Sequence, residues 1–243
     1  MGFLDRFRRG RSDDQYSAGG SRIYRHEEAA EPVLSGGDPD LIEAIDAHIE
    51  RHLGEPEGVF HQALSPYVHV DIHVVMPTQE RPMITLVTSG MSERPMDAPS
   101  DDVSRAELVM ALPPDWPIDH DAFDDERVYW PFRLLQNLAV LPHSFNTWLW
   151  FGHTVPNGDP PEPYAEDTQF CCALLFPVMT VDEPFTRLEH GDHTVTFLGV
   201  YPLYADEMQL KLEQGTDALV DGFEALQLTE RLQPGRASAA RAS

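Results

Sequence analysis

The sequence predicts an α+β domain, of mixed α/β character, in which a central mixed β-sheet is covered by helices. Three observations favour this class: an amphipathic helical segment comes early, several segments with period-two alternation follow it, and helical segments come last. With 243 residues, of which 42% are hydrophobic, the chain can bury one large core. The predicted order is helix, three strands, helix, four strands and closing helices.

The first helix is predicted to begin at Asp38 and to end at Gly54. Asp38 can accept a backbone hydrogen bond at the N-cap, and Pro39 suits the first helical position. Gly54 is typical of a helix C-terminus. The apolar stripe repeats at helical spacing and consists of Leu41, Ile42, Ile45, Ile49 and Leu53.

Three strands are predicted next, in "YVHVDIHVVMP", "MITLVTSGMS" and "RAELVMALP". The first alternates strictly, so its apolar side chains share one face of the sheet and its polar side chains share the other. The apolar face carries Val68, Val70, Ile72 and Val74, and the polar face carries His69, Asp71 and His73.

The second half begins with a helix in "DDERVYWPFRLLQNLAVLP". Because Pro131 removes a hydrogen bond, we expect the helix to start near Tyr129 or Trp130 or to be kinked. Two further strands, "TWLWFGHTV" and "TQFCCALLFPV", flank a proline-rich loop. A hairpin is predicted to turn at residues 191–192, and the closing helices are predicted to divide at Gly215.

Three regions follow from composition. Residues 1–37 are predicted to be a flexible N-terminal segment, because glycine and serine flank a short basic stretch. Residues 38–226 form the predicted domain. Residues 227–243, rich in Ala, Ser and Arg, are predicted to be a disordered tail.

The charge balance restricts the class of partner. The net charge is −24, from 41 acidic and 17 basic residues, which argues against direct nucleic-acid binding and favours a basic protein partner. No apolar run is long enough for a transmembrane helix, and no signal peptide is recognisable. The adjacent Cys171 and Cys172 would strain a disulfide, so a reducing compartment, the cytoplasm, is predicted.

Catalytic patterns are weak. His69, Asp71 and His73 offer metal-ligating groups on one strand face, so a metal-dependent enzyme is the alternative hypothesis to a polar strand surface. His153 could act as a general base beside Asp159 or Glu162, although no recognisable nucleophile stands near it. No phosphate-binding glycine loop occurs. We therefore predict no catalytic residue and no cofactor.

Four longer stretches resemble the suppressor-of-fused (SUFU) domain family. They are "VDIHVVMPTQERPMITLVTSGMSERPM", "RAELVMALPPDWP", "WLWFGHTVPNGDPPEPYAEDTQFCCALLFP" and "FLGVYPLYADEMQLKLEQGTDALV", and the likeness runs from about residue 42 to residue 223. The resemblance implies a SUFU-like fold and a non-enzymatic protein that binds a partner protein. For a single-domain bacterial-type member it implies an immunity or adaptor protein that sequesters a toxin, often a nuclease.

The loop "GHTVPNGDPPEPYAEDT" contains residues 157–167, which are predicted to form part of a protein-binding surface. Its prolines restrict the free loop, so docking would cost little entropy. Its acids offer charge to a basic partner, and an aromatic side chain offers an anchor. The predicted binding residues are Asp159, Glu162, Tyr164, Glu166 and Asp167, with Glu93 and Arg94 as weaker candidates. The alternative is that the loop packs on its own sheet and closes a core edge.

Overall fold

The protein is described here by a computed structural model that covers residues 15–26, 29–31, 38–61 and 67–242. Within these residues the α-helices are Pro39–Leu53 (α1), Glu126–Phe145 (α2), Ala205–Gln214 (α3) and Thr216–Leu226 (α4). The strands of the first half are Gln15–Tyr16 (β1), Arg22–Ile23 (β2), Gly58–His61 (β3), Asp71–Val75 (β4), Ile84–Ser89 (β5) and Ala106–Leu112 (β6). Those of the second half are Thr154–Pro156 (β7), Cys172–Pro177 (β8), Arg187–His190 (β9) and His193–Leu203 (β10).

The central sheet is mixed, as predicted. Its strand order is β3-β4-β5-β6-β10-β8-β7, and β9 also pairs with β10. Strands β3 to β6 form an antiparallel meander, whereas β10 inserts beside β6 in parallel and then pairs antiparallel with β8. The short pair β1 and β2 forms a separate hairpin. Strand β10 therefore joins the two halves of the chain.

Helix α1 forms as the sequence predicts. The Asp38 side chain accepts a hydrogen bond from the Leu41 backbone N–H at 3.2 Å, which satisfies one of the free donors of the first turn. The stripe is buried except for Ile42, which is half-buried. It packs on one face of the sheet against Val87, Val109 and Phe197.

Helix α2 covers the opposite face and begins earlier than predicted, at Glu126. Asp125 caps it by accepting from the Arg127 backbone N–H at 3.0 Å. Pro131 lies in the second turn, where the helix accommodates the lost hydrogen bond because its neighbours Trp130 and Phe132 are held in the core.

The edges of the sheet differ from the prediction. Strand β3 was not predicted, because it is only four residues long and mostly exposed. The strand predicted in "TWLWFGHTV" is confined to β7, since residues 151–152 form a turn that interrupts it. The hairpin between β9 and β10 and the division of the closing helices at Gly215 are confirmed.

Residues 227–242 of the predicted disordered tail are folded, so for them that prediction is wrong. The Leu232 backbone N–H donates to the Ala111 carbonyl at 2.7 Å, and residue 231 forms an isolated parallel bridge with Ala111. Leu232 and Ala239 are buried, at 2% and 0% exposure. The segment has few apolar residues, but Leu232 and Ala239 are buried in the domain, and their burial offsets the entropy of ordering. We call residues 228–241 the C-terminal segment.

The C-terminal segment approaches helix α4 closely at Gly222. A Cβ atom at residue 222 would lie 2.5 Å from the Ala239 carbonyl oxygen, which is closer than packing allows. Glycine inside a helix normally costs stability. Here it permits the segment to lie against the helix.

Part of the predicted flexible N-terminal segment also contacts the domain. The Gly19 backbone N–H donates to the Leu212 carbonyl at 2.8 Å, and the Ala30 N–H donates to the Ser144 carbonyl at 2.6 Å. For residues 15–26 and 29–31 the prediction of a flexible segment therefore fails. For residues 1–14, 27–28 and 32–37 it lies outside the described residues.

Candidate functional site

The proline-rich loop between β7 and β8 is closed on itself by Asn157. The Asn157 backbone N–H donates to the Cys171 carbonyl at 2.8 Å, and its side-chain amide donates to the Glu162 carbonyl at 2.7 Å and to the Pro163 carbonyl at 3.3 Å. The Glu162 N–H donates back to the Asn157 carbonyl at 2.8 Å. The loop thus has a defined shape without help from a partner.

The four acids of this loop are all exposed. Asp159 has one distant ion pair with Arg25, at 3.7 Å between Nη1 and Oδ2, and both side chains are largely solvated. Such a pair contributes little to stability. We call Asp159, Glu162, Glu166 and Asp167 the acidic loop residues.

Tyr164 does not lie at the surface, contrary to the prediction of an exposed anchor. It is 6% exposed, and its ring stacks on Trp130 with 5.3 Å between centroids and 4° between planes. Its carbonyl accepts a hydrogen bond from Arg133 at 2.7 Å. Burial raises the pKa of its hydroxyl well above the usual value. Tyr164 therefore fixes the loop to the core.

Beside the loop lies an open cleft of about 710 Å³. Its aromatic lining comes from Trp116, Trp130, Phe170 and Tyr204, and residues 232 and 234–238 of the C-terminal segment also line it. Of the acidic loop residues only Asp167 lines it, accompanied by Asp206 on α3. Arg241 sits at this rim and pairs with Asp206 at 3.3 Å. An aromatic cleft with a charged rim is typical of a binding site for another molecule.

The aromatic wall is held in place by Arg236 of the C-terminal segment. Its guanidinium lies 4.8 Å from the Tyr204 ring centroid and 5.2 Å from that of Phe170, in cation–π contact. The rings of Phe170 and Tyr204 themselves stack at 4.5 Å. The contact of Arg236 with these rings was not predicted, because residues 227–243 were predicted to be disordered. The spacing of Leu228 and Leu232 before the Pro234–Gly235 turn was the available signal.

The structure does not bring together the predicted trio of His69, Asp71 and His73. His73 is 3% exposed, and its Nε2 lies 2.8 Å from the Ser89 hydroxyl and 3.4 Å from an Asp46 carboxylate oxygen on α1. Burial lowers the pKa of His73. At His73 the predicted polar face is covered by helix α1, so His73 is held apart from His69 and Asp71.

A different histidine joins the remaining two. Asp71 Oδ1 lies 2.8 Å from His61 Nδ1 and 3.0 Å from His69 Nε2. His61 stands directly opposite Asp71 in the β3–β4 pairing. This neighbour was not predicted, because strand β3, which carries His61, was not predicted.

His153 does not form the predicted pair with Asp159 or Glu162. Its ring lies edge-on to Trp148 at 4.6 Å, and no hydrogen bond joins it to either carboxylate in the described part of the chain. Burial and, to a lesser degree, Lys211 lower the pKa of His153. These surroundings are those of a packed aromatic side chain.

The weaker candidates Glu93 and Arg94 follow a rigid turn at the end of β5. The buried carboxylate of Glu107 accepts hydrogen bonds from the Thr88 and Ser92 hydroxyls, both at 2.6 Å, and from the Ser92 N–H at 2.9 Å. Burial raises the pKa of Glu107. The "TSGMS" stretch is thus a structural turn, and Glu93 and Arg94 lie half-buried beyond it.

Among the described helices, none combines the length and the apolar composition that a membrane span requires.

The sequence of residues 66–237 matches the model of the family described as Suppressor of fused protein (SUFU), and this match spans more than half of the chain. The chain belongs to the suppressor of fused family. The match includes the loop and most of the C-terminal segment, so the residues that line the cleft, except Ser238 and Arg241, lie within the matched region. Among curated proteins, no sequence matches.

Solved suppressor of fused structures share the fold. A SUFU homologue from Neisseria gonorrhoeae superposes with a TM-score of 0.58 at 18% identity, covering 83% of this chain and 98% of that one. Sufu in the Sufu–Fu complex gives 0.57 at 14% identity, covering 84% and 93%. Drosophila Suppressor of Fused gives 0.56 at 14% identity, covering 86% of this chain but 53% of that one. At these identities the likeness establishes the fold.

Proposed function

We propose that this chain is a non-enzymatic protein-binding domain that sequesters a basic partner protein in the cytoplasm. The observation that carries the proposal is the aromatic cleft beside the acidic loop residues. Aromatic groups supply most of the energy at protein interfaces, whereas rim charges mainly set the association rate and its salt dependence. A relative of the same fold, Sufu, is present in a complex with Fu, which supports protein binding.

We infer that the partner is a toxin, for example a nuclease of a bacterial polymorphic toxin system, and that this chain is its immunity protein or adaptor. The net charge of −24 supports a basic partner, because opposite charge steers the encounter. Nucleases that bind nucleic acid carry basic surfaces, so an acidic protein can cover such a surface.

The lining of the cleft favours binding over catalysis. It contains no histidine or cysteine among the described residues, and its carboxylates Asp167 and Asp206 lie at the rim, the latter paired with Arg241. General acid–base catalysis usually needs a titratable side chain poised in the cavity. An aromatic lining with its carboxylates at the rim is suited to holding a side chain of a partner.

An immunity protein is expected to be encoded beside the toxin that it neutralises. The decisive experiment therefore measures the kinetics of binding to the protein encoded by the gene next to that of this chain, purified in a catalytically inactive form. Replacing Asp159, Glu162, Glu166 and Asp167 by their amides should slow association at low salt, and the difference should shrink at high salt. The matched control replaces Glu43, Glu50, Glu55 and Glu57 by Gln, which removes the same number of exposed negative charges elsewhere. The control should associate faster than the loop variant.

A second variant tests the cleft itself. Ala237 is exposed and lines the cleft, so Ala237→Trp fills it without removing a contact. We expect at least about a tenfold loss of affinity, the effect of blocking a central interface pocket. Ala47→Trp, on the exposed side of α1, is the control. Wild-type kinetics in both test variants would place the binding face elsewhere, and no binding of the neighbouring product would reject the immunity role.

A further inference from the structure

His61, His69 and Asp71 form a compact group at the end of the β3–β4 pair where His61 lies opposite Asp71. One ligand atom from each of the three residues lies within 4.8 Å of the other two. Asp71 is the centre, since its Oδ1 is close to His61 Nδ1 and to His69 Nε2. The Asp71 side chain is 13% exposed, whereas those of His61 and His69 are 68% and 54% exposed. The group thus has a fixed carboxylate and two accessible imidazoles.

The backbone explains why these three side chains meet. His61 and Asp71 are directly paired across two antiparallel strands, so their side chains leave the same face. His69 precedes Asp71 by two positions, and its neighbours Val68 and Val70 are buried at 1% and 0% exposure. Buried flanking residues on both sides hold the His69 side chain on the outer face.

A close contact fixes the position of His69 further. Gly90, with φ of 104°, lies against it so tightly that a Cβ at residue 90 would be 1.9 Å from the His69 carbonyl oxygen. Only glycine allows this approach. The end of β5 therefore supports the backbone of one member of the group, which reduces the cost of ordering it around a ligand.

We propose that His61, His69 and Asp71 bind a divalent transition metal ion of the zinc type. Two imidazoles and one carboxylate are a donor set that zinc accepts, and donors of a tetrahedral ion are separated by about 3.3 Å, given metal–donor distances of roughly 2.0–2.1 Å. Rotation of the exposed imidazoles brings the three atoms to this spacing. Three protein donors leave a fourth position open to water or to a donor from another molecule.

The surroundings of the group are consistent with a site of three residues. His73 lies on the same face of the strand, but its Nε2 contacts Ser89 and Asp46 beneath α1. His73 is therefore not available to the group. Asp71 supplies the single carboxylate of the group, and His61 and His69 supply the two imidazoles. The strongly acidic protein also raises the local concentration of divalent cations.

The test is calorimetric titration of the full chain, free of any histidine tag, with Zn²⁺ in the absence of a protein partner. We expect one ion per chain, and at least about a tenfold weaker affinity for His61→Gln, for His69→Gln and for Asp71→Asn. Co²⁺ provides a second readout, because tetrahedral coordination gives an intense visible absorption that should be absent from the variants.

The matched control is His190→Gln. His190 and His193 also place two imidazoles side by side, 5.5 Å apart, next to Asp192, but on the β9–β10 hairpin. This variant should keep wild-type zinc affinity and the rise in melting temperature that zinc produces. Absence of zinc binding by the wild type, or undiminished binding by His61→Gln, would overturn the proposal. Either result leaves the protein-binding proposal intact, because that is measured without metal.

Discussion

The guanidinium of Arg236 donates to both carboxylate oxygens of Glu207, at 2.5 Å to Oε1 and 2.8 Å to Oε2. The two side chains are 9% and 0% exposed. Glu207 also accepts from the Ala239 N–H at 2.7 Å and from the Tyr204 N–H at 2.8 Å. One buried carboxylate thus joins the start of α3 to the C-terminal segment.

Removing Arg236 should leave this carboxylate buried without its counter-charge. We expect Arg236→Met to lower the free energy of unfolding by about 3–5 kcal/mol, the cost of breaking a buried ion pair. Arg241→Met is the control, since Arg241 is 82% exposed in its pair with Asp206 and should contribute about 1 kcal/mol or less. Urea denaturation measures both. Equal losses in the two variants would show that the buried pair does not hold the segment.

Gly222→Ala provides a test of whether the C-terminal segment packs on α4. Helix propensity alone predicts a gain of about 1 kcal/mol on replacing glycine by alanine. The contact with Ala239 predicts the opposite sign in the full chain, because the added methyl group displaces the segment. In a chain truncated after residue 236 the same substitution should become stabilising. A gain in the full chain would mean that the segment is not in contact there.

Tyr164→Ala should act on stability, since the ring is part of the core. We expect a loss of about 3–5 kcal/mol, as for other large buried aromatic side chains. Tyr16, which is 58% exposed, gives the control substitution Tyr16→Ala, with an effect within about 0.5 kcal/mol. Thermal unfolding measures both. A stable Tyr164→Ala protein that releases its partner faster would restore the role of exposed anchor.

Acid should destabilise the fold through its buried histidines. Burial lowers the pKa of His48, His73 and His143 below the ordinary 6.5. The unfolded chain then binds more protons, so stability is present above about pH 6.5 and falls as the pH drops below it, by at most about 1.4 kcal/mol per pH unit for each histidine.

The His143→Gln variant isolates one of these contributions. His143 is 5% exposed, and its Nε2 lies 2.9 Å from the Met91 carbonyl, to which the neutral ring donates. Denaturation between pH 7.5 and 5 should show a shallower loss of stability in this variant than in the wild type. His190→Gln, which replaces a partly exposed histidine, is the control for the substitution itself. An unchanged slope in His143→Gln would contradict the argument.

The sequence predicted those elements of the fold that depend on residues close to one another in the chain. The cap at Asp38 and the alternation around Ile72 depend on neighbours within one turn or one strand, and both are confirmed. The C-terminal segment was missed because Leu232 and Ala239 are isolated apolar residues in a polar stretch. Leu232 and Ala239 are buried only because parts of the chain that are distant in sequence surround them in the fold.

The candidate sites show the same limit. Tyr164 stands among prolines and acids, so its sequence surroundings indicate exposure, yet Trp130 provides a stacking surface from another element. His61 is eight positions from His69, and the strand pairing alone brings them together. The sequence shows which residues carry polar groups. The residues that they contact depend on how the strands are paired, as in the pairing of His61 with Asp71.

The parallel pairing of β10 with β6 has a consequence for synthesis of the protein on the ribosome. Thr196 pairs with Ala106, so the edge of β6 has no neighbour until ninety further residues have been added. At translation rates of about 5–20 residues per second, that edge waits roughly 5–20 seconds, exposed to other nascent chains. The first four strands of the sheet are therefore the part of the chain that most needs a chaperone, and slower translation would lengthen that need.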